Sequence, residues 1–322
     1  IFAMMVIMAL VTTFMTGPAL DLINWAFKYK QEEIPQEISQ INKFKILVSF
    51  GNPERGKSLL RLANSFIRKL NGNAAITAMH LSPTNELHHY NVEQYEKENF
   101  TPIIEESENL NQKITTLFKA SNDIDSDITE VANKGDYDLL LIGLGQSIFE
   151  GSLLGKILGF TTRFINPEKL LNQVTGKESL FENSPFDERT KNILNKSKAS
   201  VGVLIDKDFS NADTVFIPVF SENDTFLISF AQKLINNSES QITILDVSGQ
   251  IKNNPELKEK IRAIEQKAPN HINLKNDRVI NKDFLRVQSL MIVSLDSWKK
   301  LVDSKSLWLS DIPSTLILKE SI

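Results

Sequence analysis

The chain has 322 residues, more than one typical domain needs, so two or three structural units are expected. A net charge of −4 and a pI near 5.7 provide no basic surface, which excludes nucleic acid as a partner. The sequence has no cysteine, which excludes disulfides and thiolate metal sites. Its four histidines never show the i, i+4 spacing of a helical metal site, so no metal site is predicted.

The first twenty residues, IFAMMVIMALVTTFMTGPAL, contain no charged side chain. At about 1.5 Å per residue, such a segment spans the roughly 30 Å of bilayer hydrocarbon. Aromatic residues and lysines follow it, which is typical of a membrane interface. We therefore expect the last transmembrane helix of a protein over 1–27 and a linker over 28–42. A buried helix of a soluble protein is the alternative, whereas a signal peptide would need a basic start and a cleavage site.

The break at Gly17-Pro18 indicates a helix that lies within a bundle. Proline removes a backbone donor, and membrane helices tolerate this loss where neighbouring helices or hydroxyl groups satisfy the freed carbonyl groups. The small and hydroxylated residues nearby also suit packing between helices. We expect the lipid bilayer and upstream transmembrane helices of the same protein as partners, because the chain begins with Ile rather than Met.

Strand and helix patterns alternate from residue 43 onward. Short apolar runs predict buried strands at 44–50, 74–81, 114–120, 137–144 and 199–206. Helical spacing or capping residues predict helices at 59–70, about 101–113, about 124–134 and from residue 184. The pattern breaks near 145–183, which we interpret as a glycine-containing insertion.

The same order of elements then recurs. Strands are predicted at 214–220, 241–247, 271–275, 290–295 and 314–319, with helices at 221–236 and 255–267. The segment LANSFIRKLNGNAAITAMHL resembles FAQKLINNSESQITILDV, which suggests an internal duplication. We therefore predict an α/β protein with two doubly wound parallel-sheet domains, 43–210 and 211–322, each with helices on both faces.

One segment matches a phosphate-binding pattern. Residues 51–58 read GNPERGKS, which fits G-x-x-x-x-G-K-[ST] between a predicted strand and a predicted helix. However, Asn52-Pro53 is a good N-cap and N1 pair, so the helix would begin at Pro53 and enclose Gly56, Lys57 and Ser58. We favour the helix start, with a P-loop NTPase as the less favoured alternative.

The apolar segment FAMMVIMALVTTFMTGPAL resembles the final transmembrane helix of monovalent cation:proton antiporters of the second cation–proton antiporter family. Residues 44–320 resemble the cytosolic tail of such proteins, with two domains similar to the universal stress protein fold. The stretch NKSKASVGVLIDKDF (195–209) is similar to the end of the first of these domains.

This resemblance implies a fragment of a secondary transporter that exchanges Na⁺ or K⁺ for protons. It places the protein in the cell (inner) membrane as a multi-pass protein, with residues 28–322 in the cytoplasm as a regulatory and dimerising tail of a homodimer. No enzymatic activity is expected, because no catalytic constellation is visible. The alternative is a membrane-tethered nucleotide sensor.

The resemblance also implies a candidate ligand site after the fourth strand. The family has a glycine-rich loop there, and this chain has a differently spaced run whose candidate binding residues are Gly143, Gly145, Gly151, Ser152 and Lys156. Backbone amides of such a run can hold a phosphate group; the alternative is that the glycines only allow a loop to turn. No cofactor is required, and an adenine nucleotide is the regulatory ligand that the resemblance suggests. The corresponding segment of the second domain, SLDSWKKLVDS, has no glycine, so that domain is expected to lack the site.

Overall fold

The computed structural model describes residue 4 and the ranges 43–70, 72–84, 91–144, 188–275, 280, 282–303 and 307–321. The chain divides into two compact units, Ile1–Asn42 and Lys43–Ile322, and every element described below belongs to the second. Among the described residues, no helix combines the length and the apolar character needed to cross a membrane. Apart from residue 4, the predicted transmembrane segment and linker lie outside the described residues.

Ten strands form one sheet in the order β3-β2-β1-β4-β5-β10-β9-β6-β7-β8. All neighbouring strands are parallel except β5 and β10, which pair antiparallel. The strands are β1 (Phe44–Phe50), β2 (Ala74–Pro83), β3 (Ile114–Ser121), β4 (Leu139–Leu144), β5 (Ser200–Ile205), β6 (Thr214–Val219), β7 (Gln241–Asp246), β8 (Ile272–Lys275), β9 (Leu290–Ser294) and β10 (Ser314–Lys319).

Helices connect the strands and cover both faces of the sheet. They are α1 (Pro53–Ile67), α2 (Val92–Asn109), α3 (Ile124–Lys134), α4 (Glu188–Lys196), α5 (Leu227–Ser238), α6 (Gln250–Asn253), α7 (Pro255–Lys267), α8 (Lys282–Arg286) and α9 (Leu295–Asp303). Two short 3₁₀ helices, Glu222–Asp224 and Leu307–Asp311, complete the described elements.

The strand sequences explain why the sheet is buried on both faces. Two inner strands of the first half, FKILVSF in β1 and LLLIGL in β4, are almost continuously apolar, as expected for parallel strands between two helical layers. Successive residues of β1 alternate between two hydrophobic cores, with Ile46 in one and Leu47 in the other. Because the sheet and both cores lie within Lys43–Ile322, this unit has the anatomy of an independently folding domain.

The two halves of the sheet have the same internal order, which is the repeated arrangement expected of an internal duplication. Strands β1 to β5 are arranged 3-2-1-4-5, and β6 to β10 repeat that arrangement on the other side of the β5–β10 pair. Helices α1 and α5 pack against each other, with the rings of Phe66 and Phe230 in an edge-to-face contact at 5.8 Å. The Ser238 hydroxyl donates to the Ser65 carbonyl at 2.8 Å. The two five-stranded units are therefore joined into one sheet, whereas the sequence suggested two.

The structure also corrects several predicted helices. Helix α2 begins at Val92 rather than near residue 101, with the Asn91 side chain accepting from the amide of Glu93 at 3.1 Å. The helix predicted at 221–236 is divided into a 3₁₀ turn and α5. Helices α6, α8 and α9 were not predicted. The predicted boundary between residues 210 and 211 falls between β5 and β6.

Candidate functional site

The first half has an open crevice at the carboxyl ends of β1 and β4. The chain leaves β1 toward β2 on one side, while β4 lies on the other, so the order of the strands reverses here. Ligands of doubly wound sheets bind in the crevice at such a switch point. This crevice has a volume of about 310 Å³, near the lower end for small-molecule sites.

The entrance to the crevice is shaped by the start of α1. The Asn52 side chain accepts from the amide of Glu54 at 2.9 Å, Pro53 takes the first helical position, and the amide of Gly56 donates to the Asn52 carbonyl at 3.0 Å. The Lys57 ammonium pairs with Glu54 at 2.9 Å. The predicted helix start is confirmed, and Gly56 and Lys57 lie within the helix rather than in a phosphate-binding loop.

Two arginines line the crevice. Arg55 lies in the first turn of α1, and Arg189 lies in the first turn of α4. Neither forms an ion pair or a hydrogen bond with any described residue. A positive charge in the first turn of a helix opposes the helix dipole, which favours negative charge at that end. The two guanidinium groups therefore provide binding capacity for an anion.

The walls of the crevice are mostly apolar. Ile124 and Ile128 from α3, Ile142 from β4 and Ile193 from α4 line it. Asp125 is the acidic group among the lining residues, and its carboxylate accepts from the Asn192 side-chain amide at 2.9 Å. An apolar wall with two cations at its edge suits a small ligand that has both an apolar part and an anionic group.

A buried histidine holds the end of β1 that forms one side of the crevice. The Nδ1–H of His80, on β2, donates to the Phe50 carbonyl at 3.0 Å, while Nε2 has no partner among the described residues. Burial lowers the pKa of His80, so its ring is neutral at physiological pH. The Phe50 ring also meets Phe100 edge to face at 5.7 Å. These contacts fix Phe50, the residue that precedes Gly51 in the crevice.

A second, more polar recess adjoins the crevice and shares Asn52, Arg55 and Leu144 with it. Its volume is about 400 Å³, and Asp206 and Asp208, which follow β5, form its other side. Among the described residues, no cluster of three or more histidine, aspartate or glutamate side chains is arranged to hold a metal ion.

The structure places one of the five predicted ligand-binding residues at the crevice. Gly143 on β4 lines it, and a methyl group added there would meet Leu59 at 3.5 Å, an ordinary contact. The other four, Gly145, Gly151, Ser152 and Lys156, lie outside the described residues.

Sequence reasoning missed Arg55 and Arg189 as site residues. Arg55 was considered only as a variable position of the phosphate-loop pattern. Its place in the first turn of a helix that starts at Asn52-Pro53 was the available signal, because a basic residue there is unfavourable without an anion nearby.

Comparison with solved structures finds several that are similar to this chain. The cytoplasmic domain of a prokaryotic cation chloride cotransporter is 11% identical over 87% of this chain and 96% of that chain, with a TM-score of 0.50. A universal stress protein from Archaeoglobus fulgidus is 13% identical over 87% of this chain and 98% of that chain, with a TM-score of 0.49. No protein-family model and no curated protein matches the sequence. At such low identity, the similarity to the cotransporter domain shows a common fold.

Proposed function

We propose that Lys43–Ile322 is the cytoplasmic regulatory region of a membrane transporter. The observation that carries this proposal is the fold, which this chain shares over most of its length with the cytoplasmic domain of a cation chloride cotransporter. The uncharged segment over residues 1–20 supports it, since that segment has the length and composition of a membrane helix.

The transporter is, in this proposal, a cation:proton antiporter that exchanges Na⁺ or K⁺ for H⁺. It lies in the inner membrane as a homodimer, with residues 28–322 in the cytoplasm. The present chain contributes regulation rather than transport or catalysis. The resemblance of residues 1–20 to the last helix of such antiporters supports this choice of transporter.

The regulatory ligand is a small anion with an apolar ring, and an adenine nucleotide fits this description. The ring packs against the isoleucines of the crevice, and its phosphate groups contact Arg55 and Arg189. The glycine-containing segment that follows Gly143 supplies further backbone donors. If the ligand binds but no ion exchange exists, the chain is a membrane-tethered sensor instead.

Ion exchange is tested with inverted membrane vesicles from cells that express the complete protein. We expect addition of Na⁺ or K⁺ to dissipate a preformed proton gradient, followed by a pH-sensitive dye. Removal of residues 43–322 should preserve the exchange and change its dependence on pH or nucleotide. Vesicles without cation-dependent proton movement would contradict the antiporter proposal.

Ligand binding is tested by calorimetry on residues 43–322 with ATP and AMP. Replacing either Arg55 or Arg189 with Ala removes a charge-assisted contact of about 1.5–3 kcal/mol, which weakens binding roughly 10-fold to 150-fold. Arg68→Ala is the matched control, because Arg68 is an exposed arginine at the opposite end of the same helix. Equal losses in all three variants, or no binding by the wild-type unit, would contradict the ligand site.

A further inference from the structure

A buried carboxylate lies at the switch point of the second half, beside an open recess of about 350 Å³. Asp224 ends the 3₁₀ turn that follows β6, and its side chain is 0% exposed. No described residue forms an ion pair with it. A fully buried carboxylate is costly unless hydrogen bonds replace its hydration shell. The structure around Asp224 must therefore supply those hydrogen bonds.

Amides and hydroxyls surround the Asp224 carboxylate. Its Oδ2 atom accepts from the backbone amides of Phe220 at 2.7 Å and Ser221 at 2.8 Å. The Ser297 hydroxyl lies 2.8 Å from both carboxylate oxygens, and the Ser294 hydroxyl donates to Oδ1. This shell consists of fixed backbone and hydroxyl donors without a cation, which is how proteins bind oxyanions.

Strand pairing shows which residues of the first half are equivalent. Ile46 pairs with Leu139 in the first half, and Val215 pairs with Leu290 in the second. When Ile46 is aligned with Val215 and Leu139 with Leu290, the residue of the first half that corresponds to Asp224 is Arg55. In the same alignment, Gly143 on β4 corresponds to Ser294 on β9.

The backbone amides that follow β1 and β6 are therefore equivalent, but their hydrogen bonding differs between the two halves. In the first half, the amides equivalent to those of Phe220 and Ser221 belong to Gly51 and Asn52. No described residue accepts a hydrogen bond from either of them. In the second half, a carboxylate occupies the corresponding position, and it joins the end of β6 to the end of β9 and the start of α9.

We propose that Asp224 is an internal ligand. Phe220, Ser221, Ser294 and Ser297 form an oxyanion site, and the Asp224 carboxylate occupies it within the same chain. The second half is therefore held in a liganded arrangement and takes no external anion at this site. This proposal goes beyond the proposed function and does not depend on a ligand in the first half.

The test is to remove the carboxylate and supply a small one from solution. Asp224→Ala in the 43–322 unit leaves the donors facing a space that formate fits. We expect formate to raise the Tm of this variant by about 2–4 °C more than chloride at equal ionic strength, since a ligand that binds the folded state stabilises it. The wild-type unit should respond equally to the two salts.

Asp246→Ala is the matched control. Asp246 is a buried aspartate in the same half, and its carboxylate accepts from the amide of Lys252 at 3.0 Å, without a shell of hydroxyls. We expect no formate-specific response in this variant. If Asp224→Ala is not recovered folded in chloride, the refolding yields in formate and in chloride are compared instead. The proposal is overturned if formate and chloride shift the Tm of Asp224→Ala equally. It is also overturned if the refolding yields of this variant are equal in the two salts, including no folded protein in either.

Discussion

The two halves of the sheet share one strand order but differ in charge at their switch points. The first half presents Arg55 beside an open crevice, and the second half buries Asp224 at the same position of the fold. An arginine at the edge of an open crevice leaves its charge available to an anion, whereas a buried carboxylate is held by its own hydrogen-bond donors. The comparison teaches that equivalent positions of a repeated fold can differ in charge and in burial: Arg55 lines an open crevice, while Asp224 is buried among hydrogen-bond donors.

The largest effect is expected for Asp224→Asn. An amide cannot accept all the hydrogen bonds that the carboxylate accepts, and its NH₂ group would face donors. Breaking this buried network should lower the free energy of unfolding by about 3–4 kcal/mol. Urea unfolding of residues 43–322, followed by tryptophan fluorescence, measures this loss, since the buried Trp298 lies in the second half.

Arg55→Asn is the matched control for that substitution. Arg55 forms no ion pair or hydrogen bond with a described residue, so its replacement should change the free energy of unfolding by less than about 0.5 kcal/mol. Similar losses for the two variants would mean that the two switch points do not differ as described.

The next effect concerns Lys207, which connects the end of the first half to the second. Its ammonium donates to the carbonyls of Ile312 at 3.1 Å and Ser310 at 3.4 Å. Burial lowers the pKa of Lys207 from 10.5 to about 8, although Asp311 partly opposes this shift. Between those two pH values the unfolded chain holds a proton that the folded chain has lost. The free energy of unfolding should therefore rise with pH across this interval, by up to about 3 kcal/mol.

Lys207→Met isolates that contribution. The difference in the free energy of unfolding between wild type and Lys207→Met should change steadily from pH 8 to pH 10.5, in favour of the wild type as pH rises. Below about pH 8 the difference should stay constant, because both folded and unfolded wild-type chains are then protonated. Parallel pH profiles would show that the junction between the halves does not contain a buried ammonium.

Sequence patterns predicted the repeated α/β order because the buried strands are short apolar runs. The start of α1 was also predictable, since Asn52 and Pro53 have conformational preferences that act locally. The start of α2 was not, because its first turns are polar and Pro102 normally marks a helix start rather than a helix interior. The predicted helix after β6 is split where Asp224 accepts hydrogen bonds from Ser294 and Ser297, some seventy positions later, and no local pattern shows such contacts.

The pairing of the two halves into one sheet and the position of the candidate site were also hard to predict, because both depend on contacts between distant parts of the chain. Nothing in the sequences of β5 and β10 specifies that they pair antiparallel, since both are apolar strands that would also suit parallel neighbours. Arg55 and Arg189 line the same crevice because the starts of α1 and α4 both lie at the carboxyl ends of the strands. Of the predicted site, only Gly143 lies among the described residues, so the proposed contribution of the segment after it stays a prediction.

A smaller effect is expected for Gly56→Ala in α1. A methyl group there would lie 2.5 Å from Ile103 Cδ1 and 3.0 Å from the ring of Phe50, so side chains between α1 and α2 must shift. Overpacking of this kind typically costs 1–3 kcal/mol, and the better helix propensity of alanine returns up to about 1 kcal/mol. We expect a net loss of about 1 kcal/mol in urea unfolding. Thr225→Ala, at the same position of the second half, should change stability by less than about 0.5 kcal/mol, and an equal loss there would contradict the difference in packing.

The smallest effect separates two neighbouring cations of α1. The side chains of Lys57 and Glu54 are 23% and 74% exposed, so their ion pair contributes less than about 0.5 kcal/mol, and Lys57→Ala should hardly change stability. Because the Lys57 ammonium is already paired and lies in a helix, ATP affinity should stay within about twofold, whereas Arg55→Ala weakens it at least about 10-fold. If calorimetry showed that Lys57→Ala weakens ATP binding more than Arg55→Ala does, residues 51–58 would be the phosphate-binding segment. That result would also remove Arg55 as the functional counterpart of Asp224, because the charge difference between the halves would then have no effect on ligand binding.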